Sequence, residues 1–179
     1  MNKKQEYKDF IVELAKLFKP KVYVEIGAKA GYVINAVSEH VERAVAVDLK
    51  LSGIKDGIEQ FQMSSEEFSF LWKDPIDLLF IDADHRAEAV LNDLDRLSKF
   101  VIPETGLILL HDTFPVNERL LQDDRCSDAW RVARMIHMTK FDYEIVTLPG
   151  PWAGLSIIRP VPFTHGWMHS SKDNKEGWK

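Results

Sequence analysis

The stretch Lys21-Val22-Tyr23-Val24-Glu25-Ile26-Gly27-Ala28-Lys29-Ala30-Gly31-Tyr32 constrains the fold of this chain more than any other. A largely β-branched apolar run follows Pro20, carries an acid near its end, meets a glycine and opens into a helical pattern. Such a run is expected for a buried parallel strand that turns sharply into a helix. Gly27 permits the tight turn, and Gly31 lets the helix sit close on the strand. The helix, expected to reach about His40, then starts at the crevice beyond the strand's carboxyl end, where open α/β sheets bind ligands. The bland alternative is an ordinary strand-to-helix turn with incidental glycines.

Spacing adds to the glycine pattern. A second strand, Ala44-Val45-Ala46-Val47, ends at Asp48. It lies about 20 residues after Gly27, where an acid can grip a ribose diol. Dinucleotide sites also want a middle glycine so that the backbone can approach a pyrophosphate, and here that place holds Lys29. A nucleoside without phosphates does not need that approach.

The remaining chain alternates in the same manner. Lys3 to Lys19 is a helix with an apolar stripe of Phe10, Ile11, Leu14, Leu17 and Phe18, read as scaffold packed on a sheet and ended by Pro20. After Asp48, Leu49 to Gly57 is too cramped for a full helix. A third strand, Ile58 to Met63, leads to Ser64-Ser65-Glu66-Glu67, a helix start with acids in its first turn. Ile76 to Ile81 is a strongly apolar strand ending at Asp82, and Arg86 to Phe100 is an amphipathic helix. Leu107 to Leu110 is a strand ending at His111-Asp112, and a helix is expected near Ser127 to Met138. Tyr143 to Leu148 and Leu155 to Ile158 form an antiparallel hairpin around Pro149-Gly150-Pro151.

This order implies an α/β fold, a Rossmann-like three-layer sandwich on a mostly parallel seven-stranded sheet with one antiparallel strand near the C-terminus. Residues 1–160 are expected to form a single domain, with 161–179 a surface tail. With 179 residues and a net charge of −5, no basic stripe recommends nucleic acid as a partner. No run reaches membrane-spanning length and the first residues lack the apolar core of a signal peptide, so a cytoplasmic protein is expected. The one cysteine, Cys126, excludes an intramolecular disulfide and has no obvious activating base.

In a parallel sheet all carboxyl ends point one way, so Glu25, Asp48, Asp82, His111 and Asp112 gather on one edge. If the strands bearing Asp82 and His111-Asp112 are neighbours, about 4.8 Å apart, their side chains can reach one cation. Two carboxylates and an imidazole make a mostly hard site suited to Mg²⁺ or Mn²⁺. Capping of the next helix by Asp82 and Asp84, and a turn at Asp112, are equally open readings. His85, just past Asp82, could take a proton from a hydroxyl at neutral pH, or be a solvated first-turn histidine. His40, His137, His165 and His169 look incidental.

With the glycine turn, Asp48, Ser64-Ser65, Phe80-Ile81-Asp82-Ala83-Asp84-His85 and Leu110-His111-Asp112-Thr113 in place, the chain resembles class I S-adenosylmethionine-dependent methyltransferases. It is most similar to the small metal-dependent O-methyltransferases of the catechol and caffeoyl-CoA type and to the related group that modifies sugars and antibiotics. The resemblance spans about Lys19 to Pro160. It implies that Glu25, Gly27, Ala28 and Gly31 cradle the methionine part of the cofactor. By the same resemblance Asp48, beside Leu49, holds the ribose hydroxyls, and Met63, Ser64 and Ser65 border the adenine. Asp82 falls at the first metal ligand and also borders the cofactor. His111 and Asp112 fall where many members have Asp-Asn or Asp-Asp, and His85 falls where catechol-type enzymes place a lysine base.

The implied reaction is O-methylation of a small hydroxylated molecule. His111, standing in place of a carboxylate, makes the site a weaker match to Mg²⁺. The segment before the first strand is short, so the acceptor pocket is expected to be open or completed by a second subunit of a homodimer. A metal-independent methyltransferase with His85 or His111 as base, and a non-enzymatic cofactor-binding protein, are the rival expectations. An NAD-type oxidoreductase is disfavoured by Lys29.

Overall fold

The computed structural model describes residues 3–103, 105–122, 125–139, 142–150 and 153–161. The expected C-terminal tail beyond position 161 lies outside the described residues. The elements are α1 (Lys3–Phe18), β1 (Val22–Ile26), α2 (Ile34–Val37), β2 (Arg43–Val47), β3 (Glu59–Phe61), α3 (Ser65–Leu71), β4 (Leu78–Ile81), α4 (Ala87–Leu97), β5 (Leu107–His111), α5 (Trp130–Thr139), β6 (Tyr143–Leu148) and β7 (Leu155–Pro160).

The seven strands order as β3-β2-β1-β4-β5-β7-β6. β1 to β5 pair in parallel, while β7 runs antiparallel to both β5 and β6, so one strand opposes the rest as expected. The chain moves from β1 outward to β2 and β3, then returns to lay β4 on the other side of β1. The β1/β4 boundary is therefore a topological switch point, where the loops leaving two neighbouring strands diverge and open a crevice.

Alternation along the buried strands divides the interior into two cores. Val24, Ile26, Val45, Val47, Leu79, Ile81 and Ile108 face α3, α4 and α5, where Phe68, Trp72, Leu94 and Val132 meet them. Tyr23, Ala44, Ala46, Leu78, Phe80 and Leu109 face α1 and α2, where Ile11, Ala15, Ile34 and Val37 meet them. Helices cover both faces of the sheet, which is the three-layer arrangement.

Three local expectations are corrected. The helix after the glycine turn is only the four residues of α2 followed by a 3-10 turn at Ser38–His40. Positive φ at Gly27, Lys29 and Gly31 spends residues 27–33 on turns, and four residues supply neither an aligned dipole nor a useful anion site. Gly31 does not ease helix onto strand. A Cβ there would lie 2.5 Å from the Asn35 amide nitrogen, so the glycine makes room for the side chain that bonds the Gly53 carbonyl and the Lys55 N–H. In α1 the buried line is Tyr7, Ile11 and Ala15, at spacing four, and Leu17 is 84% exposed.

Caps match the sequence at α3 and depart from it at α4. The Ser64 hydroxyl accepts from Glu67 N–H while the Glu67 carboxylate accepts from Ser64 N–H, a reciprocal capping box. At α4 the Ala87 N–H donates at 2.7 Å to Asp128, 41 residues away. Loss of that acceptor leaves a partly buried amide unpaired, so Asp128→Ala is expected to cost about 1 kcal/mol in a urea melt. A midpoint unchanged from the parent would show that water replaces the carboxylate without penalty.

Candidate functional site

The crevice is built where β1 and β4 end. Asp82 N–H donates to the Ile26 carbonyl at 2.9 Å, and Gly27 N–H donates to the Val47 carbonyl at 2.8 Å. These bonds hold the first residue beyond β4 directly against the turn beyond β1. Contact is so close that a Cβ on Gly27 would lie 2.2 Å from the Asp82 carbonyl oxygen. Gly27 therefore serves two needs at once, a φ of +91° and a backbone approach that no side chain allows.

Asp48 leaves β2 beside this turn. One of its oxygens accepts from Lys29 N–H at 3.1 Å and the other from Lys50 N–H at 2.9 Å. Each carboxylate oxygen has a second lone pair, so the group is oriented by the backbone with capacity left for hydroxyls. Lys29 adopts φ +49° to make its contact, a conformation that costs a lysine about 1 kcal/mol. Leu49 follows as a 73% exposed apolar side chain. Met63 and Ser64 are half-buried, with the Ser64 hydroxyl engaged by Glu67. Ser65 donates to Asp93, so its hydroxyl points between α3 and α4.

The reactive side chains meet on the β4 and β5 ends. His111 Nδ1 lies 3.1 Å from Asp82 Oδ1 and 3.3 Å from Asp112 Oδ1. His85 Nε2 lies 3.3 Å from Asp112 Oδ2 and 3.8 Å from Asp82 Oδ1. One ligand atom from each of Asp82, His85 and Asp112 falls within 4.8 Å of the others. The two carboxylates offer the hard oxygens that Mn²⁺ or Mg²⁺ takes, and the His85 nitrogen beside them can serve as a third ligand or as a free base, but not as both at once. Asp84 accepts from Arg86 N–H at 2.9 Å in a local turn ahead of α4 without capping the helix, while Asp82 faces the two imidazoles. Asp112 adopts φ +59°, a strained value for a non-glycine that aims its carboxylate into the cluster.

Burial and the facing charges together set the protonation states. It penalises a charged His111, but the facing Asp82 and Asp112 carboxylates outweigh it and push the imidazole up to about 10. Burial likewise opposes charge on Asp112, and hydrogen bonding to His111 overcomes it, holding the carboxyl below the usual range. Glu25 differs: it is buried, accepts from the Tyr23 phenol at 2.6 Å, and burial raises it to about 8. Cys126 donates to Asp112 at 3.3 Å, and burial pushes its thiol up to about 12, which agrees with an unactivated cysteine.

Two tyrosines to which the sequence assigns no site role complete the site. Tyr7 on α1 stacks on His111 with ring centroids 4.4 Å apart. It lies four residues before Ile11 on the buried stripe, so extending the helical period by one turn would have found it. Tyr23 shares a strand face with Glu25 through the two-residue alternation. The sequence-derived residues thus form two groups. Glu25, Gly27, Ala28 and Asp48 surround the β1–β2 side, and Asp82, His85, His111 and Asp112 cluster on the β4–β5 side. Gly31 supports the turn through Asn35.

A family model described as a methyltransferase domain matches residues 24–113, just over half of the chain and the segment that carries both groups. Among solved structures, the O-methyltransferase from Bacillus cereus in complex with SAH is 17% identical with a TM-score of 0.67, covering 87% of this chain and 80% of that one. The SAH-bound methyltransferase of Podospora anserina is 19% identical with a TM-score of 0.66, covering 86% and 77%. The O-methyltransferase TomG from Streptomyces achromogenes, in complex with SAM, is 16% identical with a TM-score of 0.64, covering 87% and 80%. At these identities the similarity is one of fold. No curated protein matches the sequence.

Proposed function

The chain belongs to the methyltransferase-domain family, and we propose that it transfers a methyl group from S-adenosylmethionine to a hydroxyl of a small molecule, assisted by a divalent cation. One observation carries the reading. Asp82 packs its backbone against the Gly27 turn and turns its side chain into the His85, His111 and Asp112 cluster. A donor lying over the turn and an acceptor lying over the cluster would then meet at one residue, as in-line displacement requires.

The cofactor, when bound, would supply a sulfonium methyl and leave as S-adenosylhomocysteine. Glu25, Gly27, Ala28 and Gly31 would form the wall around its methionine end, with the Glu25 carboxyl supplying negative charge to a cationic ligand. Asp48 would receive the ribose hydroxyls on its remaining lone pairs. Leu49 and Met63 would offer apolar surface to the adenine, and Ser64 and Ser65 would border it through backbone, since their hydroxyls are engaged. A Mg²⁺ or Mn²⁺ ion held by Asp82 and Asp112 would lower the acceptor hydroxyl's pKa. His85, half-buried at the mouth, would take the proton that leaves the acceptor.

The test is calorimetric. S-adenosylhomocysteine is expected to bind the folded protein, and Asp48→Ala to weaken it by about tenfold to a hundredfold, the worth of one to two charge-assisted hydrogen bonds. No heat with either the cofactor or its demethylated product would end the reading. A metal-independent transferase has its own support, because His111 already lies between the two carboxylates and supplies positive charge there. Turnover unchanged by chelator would favour it.

A further inference from the structure

His111 occupies an unusual setting for a residue among prospective cation ligands. Its Nδ1 faces Oδ1 of both Asp82 and Asp112, at 3.1 and 3.3 Å. Its Nε2 is buried and, among the described residues, has no hydrogen-bond partner. The ring is held between aromatics: Tyr7 lies at 4.4 Å with a 37° tilt, and Phe80 stands edge-on at 6.4 Å and 78°. An imidazole clamped in this way has one useful atom and one orientation. That atom engages the two inner carboxylate oxygens, while Asp112 Oδ2 is turned toward the more open His85.

Two carboxylates on adjacent strands repel each other and would splay without something between them. A donor shared by both fixes their separation and leaves their outer oxygens for whatever binds in the crevice. The donor is only as well placed as its ring. Tyr7 brings α1 to that ring, and it comes from outside the strand-and-loop segment that carries the other groups. We propose that Tyr7 and His111 form a positioning pair, in which the stacked phenol ring holds the imidazole that sets the spacing of Asp82 and Asp112. His111 is then a brace beneath the cation and not one of its ligands. This inference rests on the cation reading above and assigns roles within it.

Mn²⁺ titration of the full chain, followed by electron paramagnetic resonance, tests it without any acceptor. Tyr7→Leu is expected to weaken Mn²⁺ binding about tenfold or more, the usual consequence of removing a group that orients a ligand. Tyr7→Phe keeps the ring and should bind as the parent does. His111→Asn should weaken binding similarly, and the double variant Tyr7→Leu/His111→Asn should be no weaker than His111→Asn alone, because one residue acts through the other. Electron spin-echo modulation reports imidazole nitrogen bound to Mn²⁺, and that signal should be the same in the parent and in His111→Asn. A signal present in the parent and lost in His111→Asn makes His111 a ligand and overturns the brace while leaving the cation reading intact. Additive losses, or a Tyr7→Leu variant that binds like the parent, overturn the Tyr7 role. A parent protein that binds no Mn²⁺ overturns the cation reading and the brace together.

Discussion

Gly27→Ala is expected to lower the melting temperature by about 10 °C and to weaken S-adenosylhomocysteine binding on the order of 100-fold. Two separate penalties add. An alanine at φ +91° pays a left-handed backbone cost of about 1–2 kcal/mol. Its methyl would also stand 2.2 Å from the Asp82 carbonyl oxygen and 2.7 Å from the Ala83 Cα, backbone atoms fixed by the bond from Asp82 N–H to Ile26. Relief requires the β4 end to move off β1, at about 1–3 kcal/mol for overpacking. That motion carries Asp82 with it, so the binding defect should exceed what lost stability explains. Gly57→Ala is the internal control. Gly57 has φ +86°, yet a Cβ there would meet nothing within 4 Å. It should show the backbone penalty alone, with ligand affinity unchanged. If both variants bind the ligand equally well, contact between Gly27 and Asp82 does not shape the crevice.

The contrast between these glycines shows what a sequence can and cannot reveal. The β1 stretch and the strands at Leu78–Ile81 and Leu107–His111 were legible because parallel strands buried on both faces are written as continuous apolar runs. Their order then places every strand-end acid on one edge, and Asp48, Asp82 and Asp112 arrive there as expected. What was not legible depends on distance in three dimensions. That Gly27 needs its missing side chain because of Asp82, 55 positions later, is invisible in a local pattern. The same holds for Asp128 at the start of α4 and for Tyr7 on His111. The overlong helix after Gly31 has a different origin. Val33, Ile34 and Val37 have helical spacing, but the left-handed turns at Lys29 and Gly31 leave only one short turn for it. His85 illustrates the limit most clearly, since only the folded loop decides between a solvated histidine and one 3.3 Å from a buried carboxylate.

Glu25→Gln is expected to stabilise the ligand-free protein at pH 8 and to impair its binding of a cationic ligand. Glu25 lies within β1, buried among Tyr23, Phe80 and the neighbouring strand, with the Tyr23 phenol as its hydrogen-bond donor and Asp82 the nearby negative charge. Burial raises its carboxyl to about 8, so at neutral pH the folded protein keeps a proton that the unfolded chain releases. The sign follows from linkage: the native state binds more protons, so Glu25's contribution is fully present below its unfolded value near 4.5 and falls as pH rises toward 8. Above 8 both states are ionised and the loss is constant. Its size is on the order of 4 kcal/mol for a wholly buried carboxyl. Glutamine keeps an acceptor for Tyr23 and never ionises. The variant should therefore melt with the parent near pH 4.5, then pull progressively above it, by about 10 °C at pH 8. Parallel melting curves across that range would show that Glu25 titrates normally. The same carboxyl predicts the reverse effect on binding. A sulfonium or ammonium reaching the crevice would supply the counter-charge Glu25 lacks, and the carboxyl should ionise as the ligand arrives. Calorimetry at pH 7 in buffers of different ionisation enthalpy should then register proton release in the parent and none in Glu25→Gln, together with weaker affinity. A stabilised variant that binds as tightly as the parent would mean the buried proton has no part in recognising the donor. A stabilised variant that binds poorly would identify Glu25 as a place where the fold gives up stability to hold charge in reserve for its ligand.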